Sequence, residues 1–190
     1  IIIDLRSNGG GEPESVTRLM SHFFPVGTEL LVNSIYDRTQ DSTREFWLDP
    51  DVQTRFAGPV YVLTSDVTFS GGEELAYDMQ THERGTLVGE TTGGGANPGG
   101  MMPLAHGFVA FIPTGRAINP VTGTNWEHIG VVPDVAVPAD RALATALAMA
   151  LDQIAEKSEN SARKDELSGL SADVRAGDVA LPHWTHPRGR

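Results

Sequence analysis

Twice in this chain an apolar run breaks into a glycine-bearing turn that leads directly into a helix, and this repeat restricts the fold more than any other feature. Ile1–Leu5 passes through Ser7-Asn8-Gly9-Gly10-Gly11 to a helix beginning near Pro13. Val60–Thr64 passes through Ser65-Asp66 and Thr68-Phe69-Ser70-Gly71-Gly72 to a helix of about Glu73–Gln80. Short runs that are apolar on both faces are strands buried between helices, so the pattern predicts an α/β domain with a largely parallel sheet. In such domains functional sites lie where strand ends meet helix starts. Pro13 suits a first helical turn, Glu12 and Glu14 suit its positive dipole end, and Val16, Leu19, Met20 and Phe23 give that helix an apolar face.

Thr86–Gly89 and Phe108–Ile112 are predicted as further strands, the first of them fully apolar at its centre. Between them Thr91–Gly100 is so rich in glycine that it requires positive φ angles or close backbone approach. Ala139–Ile154 is alanine-rich, with Leu143, Leu147 and Leu151 four residues apart, and predicts a helix. At 190 residues and 39% hydrophobic content the chain holds one sizeable core. The expected division is a core over residues 1–155 and a polar tail, or the start of a further element, over 156–190. The chain opens on Ile1-Ile2-Ile3, as if within a strand, so the core is expected to be incomplete at its N-terminus.

Fourteen Lys and Arg against 25 Asp and Glu leave a formal net charge of −11, which recommends neither nucleic acid nor an anionic membrane as partner. Cysteine is absent, which removes disulfides, thiolate metal sites and cysteine nucleophiles together. No stretch is long and apolar enough to insert into a membrane.

Ser70 has two readings. At the end of a buried strand, before Gly71-Gly72 and a helix, it has the setting of a nucleophile with an oxyanion-binding amide beside it. Ser70-Gly71-Gly72-Glu73 also has the S-x-x-E form of a capping box, in which the serine merely satisfies helix amides. The Asn8–Gly11 turn offers backbone amides too, but without a G-x-G-x-x-G or G-x-x-x-x-G-K pattern, and its two following glutamates repel phosphate. A base for Ser70 is harder to find. Lys157 and Lys164 both lie beyond the last core helix, and none of His22, His82, His106, His128, His183 and His186 has a spacing that demands catalysis. Glu127, beside Trp126, could orient a histidine base. His183-x-x-His186 supplies two metal ligands without a third.

In order along the chain, five motifs resemble the C-terminal-processing, or tail-specific, serine peptidase family. They are Asp4-Leu5-Arg6-Ser7-Asn8-Gly9-Gly10-Gly11, Leu63-Thr64-Ser65 through Thr68-Phe69-Ser70-Gly71-Gly72-Glu73-Glu74, Val88-Gly89-Glu90-Thr91-Thr92-Gly93-Gly94, Ile112-Pro113-Thr114-Gly115-Arg116, and Trp126-Glu127 with Gly130-Val131-Val132-Pro133-Asp134-Val135. The set covers roughly residues 1–150 and is most similar to the branch of the tricorn core protease and the interphotoreceptor retinoid-binding protein repeats. The resemblance implies a crotonase/ClpP-like α/β core of ββα units and a peptide or protein substrate, with no metal or organic cofactor.

By the same resemblance Ser70 is the nucleophile, Gly71 with Gly9 or Gly10 gives the oxyanion-hole amides, and Glu127 supports the base. Relatives that use a lysine base carry it after the Gly89-Glu90 pair, where this chain has none; the tricorn-like branch uses a histidine upstream of the Asp4 strand. This chain is therefore expected to hold the nucleophile without the base and to turn over little by itself. Exported relatives make a periplasmic or extracellular location the expectation. Two other classes compete: a non-catalytic module binding an apolar, retinoid- or lipid-like ligand through Met101, Met102, Phe108 and Phe111, and a crotonase-like acyl-CoA enzyme.

Overall fold

A computed structural model describes residues 1–187. Its centre is a four-stranded, all-parallel sheet of β1 (Ile2–Asp4), β4 (Tyr61–Thr64), β5 (Thr86–Gly89) and β9 (Val135–Ala136), in the order β1-β4-β5-β9. Alternation along β4 explains why it is central. Tyr61 and Leu63 face α3 (Ala139–Glu156), where Ala142 and Ala146 let the helix approach closely. Val60 and Val62 face the opposite side, packing with Val16 and Met20 of α1 (Pro13–Ser21) and with Leu75, Ala76 and Met79 of α2 (Gly71–Thr81). The result is a three-layer α/β/α arrangement with both strand faces dry.

A second, antiparallel sheet of β3 (Ser42–Trp47), β2 (Leu31–Asp37) and β8 (Gly115–Ile118) lies apart from the first. A hairpin of β6 (Gly99–Pro103) and β7 (Val109–Pro113) stands alone. α4 (Ser161–Ala176) packs against α3 through Leu167 and Val174, with Asn160 capping its start and Gly177 its end. Residues 156–190 thus contain a docked helix, and Arg188–Arg190 fall outside the described residues.

Three expectations change. The first strand is half-buried instead of fully buried, because β1 is an edge strand with one neighbour. Phe108–Ile112 belongs to the exposed hairpin, and the parallel sheet takes its fourth strand from Val135–Ala136. Met101, Met102, Phe108 and Phe111 are 48–69% exposed, so they form no core, and of the four only Phe111 reaches the wall of a cleft, the one beside Ser70.

Gly89 carries a sharp sequence requirement. Its φ is +141°, and a Cβ there would sit 2.1 Å from the Thr64 carbonyl oxygen. Backbone, not a flexible side chain, is what it would strike. Gly89→Ala is expected to cost roughly 3 kcal/mol in urea unfolding; a loss below about 1 kcal/mol would show that the β4–β5 contact relaxes freely.

Candidate active site

The two strand-to-helix turns are tied directly to one another. Thr68 Oγ1 donates to the Leu5 carbonyl at 2.8 Å, Ser65 Oγ to the Arg6 carbonyl at 2.6 Å, and the Phe69 amide to the Asn8 carbonyl at 3.0 Å. The Arg6 guanidinium, itself buried, grips Asp4 through Nε at 2.9 Å and through its terminal nitrogen at 2.7 Å. The glycines make the close approach possible. A Cβ on Gly71 would lie 2.5 Å from the Gly11 carbonyl oxygen, and one on Gly10 would lie 2.8 Å from Ser70 Cβ.

Ser70 is the residue N-terminal to α2, exposed, with φ 52° and ψ −124°. That backbone is unlike the extended conformation of an ordinary N-cap, and it is costly for a residue with a side chain. Glu73 fills its half of the capping box, accepting from the Ser70 amide at 2.8 Å, and the Ser70 side chain stands opposite the Glu73 amide in the other half. The Gly71 amide, first in the helix, has no intrahelical acceptor.

Glu73 does more than the box requires. Fully buried, it also accepts from Thr92 Oγ1 at 2.5 Å, the Gly94 amide at 2.6 Å and the Gly95 amide at 2.9 Å. It thereby pins the glycine-rich loop across the start of α2. Glu127 holds the next two residues of that loop, its Oε2 accepting from the Ala96 and Asn97 amides at 2.7 and 2.9 Å.

Between these parts lies an open cleft of about 620 Å³. Ser70, Gly71 and Glu127 all line it, so three of the residues singled out by sequence meet in one place. Gly9 and Gly10 do not line it, whereas Gly11 does. The Gly10 amide donates to Asn8 Oδ1 at 2.8 Å, so it serves a bound oxyanion only if that side chain turns away.

None of the six histidines and neither lysine lines the cleft. His22 Nδ1 contacts the Thr54 carbonyl, His106 sits at the hairpin turn with φ 62°, and His186 Nε2 meets Asp66 Oδ1 at 2.8 Å. His128 follows Glu127 but is exposed, 3.8 Å from its carboxylate. Lys157 lines a separate depression with Tyr61 and Thr86, at the opposite ends of the parallel strands. Among the described residues no three His, Cys, Asp or Glu side chains are grouped to hold a metal ion.

Glu74 lines the cleft and was passed over in the sequence, where it follows the capping box without an evident role. The available signal was its spacing from Asp78: residues four apart share a helix face, and that face is the buried one. Burial pushes Glu74 up to about 7, despite a hydrogen bond from Asn33 that opposes the shift, and pushes Asp78 well above the carboxylate range. The folded state therefore keeps a proton on Glu74 between pH 4.5 and about 7 that the unfolded chain has lost. Stability contributed by this group is full at low pH and falls as pH rises through 7, by roughly 3 kcal/mol. Urea unfolding at pH 5 and pH 8 is expected to show that decline, and Glu74→Gln to reduce it.

The family model for Peptidase family S41 matches residues 1–137. The chain is 30% identical to the tail-specific protease of Haemophilus influenzae over 94 residues, half of this chain and 13% of that protein. It is 28% identical to the tricorn protease of Thermoplasma volcanium over 142 residues, 72% of this chain and 12% of that protein. The solved structure of a photosystem II D1 C-terminal processing protease superposes with a TM-score of 0.59 at 26% identity, covering 73% of this chain and 34% of the other. The chain thus spans about an eighth of the first two relatives. With the α/β core, the ordered motifs and a match across most of its length, the chain belongs to peptidase family S41.

Proposed function

We propose that this chain carries the nucleophile of a serine-type endopeptidase acting on peptide or protein substrates. The observation that carries the reading is the backbone of Ser70: a costly positive φ at a helix start holds an exposed hydroxyl in a cleft, beside an unpaired helix amide. Ser70 Oγ attacks the scissile carbonyl carbon as its proton passes to the base. The carbonyl oxygen becomes an oxyanion, stabilised by the Gly71 amide and the positive end of α2, with a donor from the Asn8–Gly11 turn. The C–N bond then breaks, the base returns the proton to the leaving amine, and water hydrolyses the resulting ester.

By the resemblance to the tricorn-like branch the base is a histidine, and because no histidine or lysine of this chain lines the cleft we infer that it comes from outside these 190 residues. Glu127 lines the cleft and would orient that base through Oε1, which accepts from no backbone amide among the described residues. The chain alone is expected to hydrolyse peptides slowly, if at all. The intact protein is expected to degrade casein, with activity abolished by phenylmethylsulfonyl fluoride and unaffected by EDTA. Activity lost to the chelator and kept after the sulfonyl fluoride would overturn the reading.

A further inference from the structure

We propose that Glu74 is a specificity-determining residue, and that the cleft takes peptide segments presenting a lysine or arginine side chain to a subsite beside Ser70. The inference rests on the peptidase reading and adds the substrate class.

Glu74 lies one helical turn beyond Ser70 and is only 5% exposed. Its Oε1 accepts from Asn33 Nδ2 at 3.1 Å, and Oε2 accepts no hydrogen bond from the described residues. An ionised carboxylate has about four acceptor positions, and here the protein fills one. The nearby cleft wall is apolar, formed by Ile35, Ala117 and Trp126. Apolar walls ending in an under-coordinated carboxylate match an aliphatic stem tipped by N–H donors.

The charges facing the subsite favour the same ligand. Glu12, Glu74 and Glu127 line the cleft, and among the described residues no Lys, Arg or His does. Glu127 Oε2 already accepts from two backbone amides and its other oxygen is assigned to the base, and Glu12 is exposed, which leaves Glu74 as the acceptor deep in the cleft. Around it stand Asp78 on its own helix and Glu14 on α1, the latter paired with Arg44 of β3. Burial first, and the Glu14 carboxylate second, favour the protonated form of Glu74 while the subsite is empty. A cationic side chain would displace that proton and complete the carboxylate's hydrogen bonding, so its binding should strengthen as pH rises through 7.

The test uses the intact protein with Ser70→Ala, so that bound peptide is not cut, and a fluorescein-labelled decapeptide of Ala, Gly and Ser with one central lysine. An otherwise identical peptide carries norleucine, which keeps the stem and removes the charge. Fluorescence anisotropy at pH 8 is expected to show the lysine peptide binding about tenfold tighter, with the preference shrinking at pH 6. Adding Glu74→Gln, which keeps shape and the Asn33 acceptor, should equalise the two peptides without weakening the norleucine one. Glu12→Gln should leave most of the preference. Equal binding by the two peptides, or a preference surviving Glu74→Gln, would overturn the role of Glu74 while leaving the peptidase reading intact. Failure of the folded protein to bind either peptide would count against both.

Discussion

Ser70→Ala is expected to lower kcat/KM of the intact protein for peptide hydrolysis by a factor of about 10³ to 10⁶, with the unfolding midpoint nearly unchanged. The two readings of this serine differ here. A helix cap replaced by alanine costs about 1 kcal/mol of stability and has no reason to affect chemistry. A nucleophile replaced by alanine loses the chemistry by orders of magnitude and costs no more stability than the single contact of the Ser70 side chain with the helix start. The backbone sharpens the distinction. With φ 52°, position 70 would be more comfortable as glycine, so Ser70→Gly is expected to retain or raise stability while abolishing activity. Calorimetry beside a peptide assay reads both quantities. A stabilised, inactive Ser70→Gly protein would mark the strain as belonging to function.

Glu73→Ala is expected to be the most damaging substitution to the fold of the site, costing about 4 kcal/mol. It would leave the Ser70, Gly94 and Gly95 amides and the Thr92 hydroxyl without their acceptor at once. Thr92 Oγ1 also accepts from the Val131 amide, so the disturbance would extend to the segment carrying Trp126 and Glu127. Urea unfolding should register the loss, and hydrogen exchange should speed at Gly94 and Gly95 before it speeds in β4. Glu83, exposed on a turn after the same helix, is the control: Glu83→Ala should change stability by less than about 0.5 kcal/mol. A Glu73→Ala protein as stable as the parent would show that the glycine loop is held by something other than this carboxylate.

The parts of the molecule legible in the sequence are those where one physical cause acts alone. Val60–Thr64 is dry on both faces, so an unbroken apolar run announced it. Gly71 and Gly72 had to be glycine because the neighbouring turn comes within 3 Å, and their position marked the turn that presents Ser70. Glu127 and Ser70 lie 57 residues apart, and only their place in an ordered set of motifs brought them together before the cleft did.

What was not legible depended on partners distant in sequence. The β2–β3–β8 sheet mixes polar and apolar residues because little of it is buried, which removes the apolar run that marks a strand. The hairpin misled for the opposite reason: Met101, Met102 and Phe108 are apolar yet exposed, and an apolar residue taken by itself suggests an interior. Glu73 read as a capping-box partner because that bond is local, whereas its other three partners lie about twenty residues on. Gly10 read as a possible oxyanion donor because nothing in the sequence shows that Asn8 takes its amide.

The most direct test of the account is fluorophosphonate labelling of the intact, folded protein, followed by mass spectrometry to locate the adduct. The account predicts one phosphonyl group, on Ser70, absent after Ser70→Ala and lost on unfolding. No adduct, or an adduct on a different serine, would contradict it.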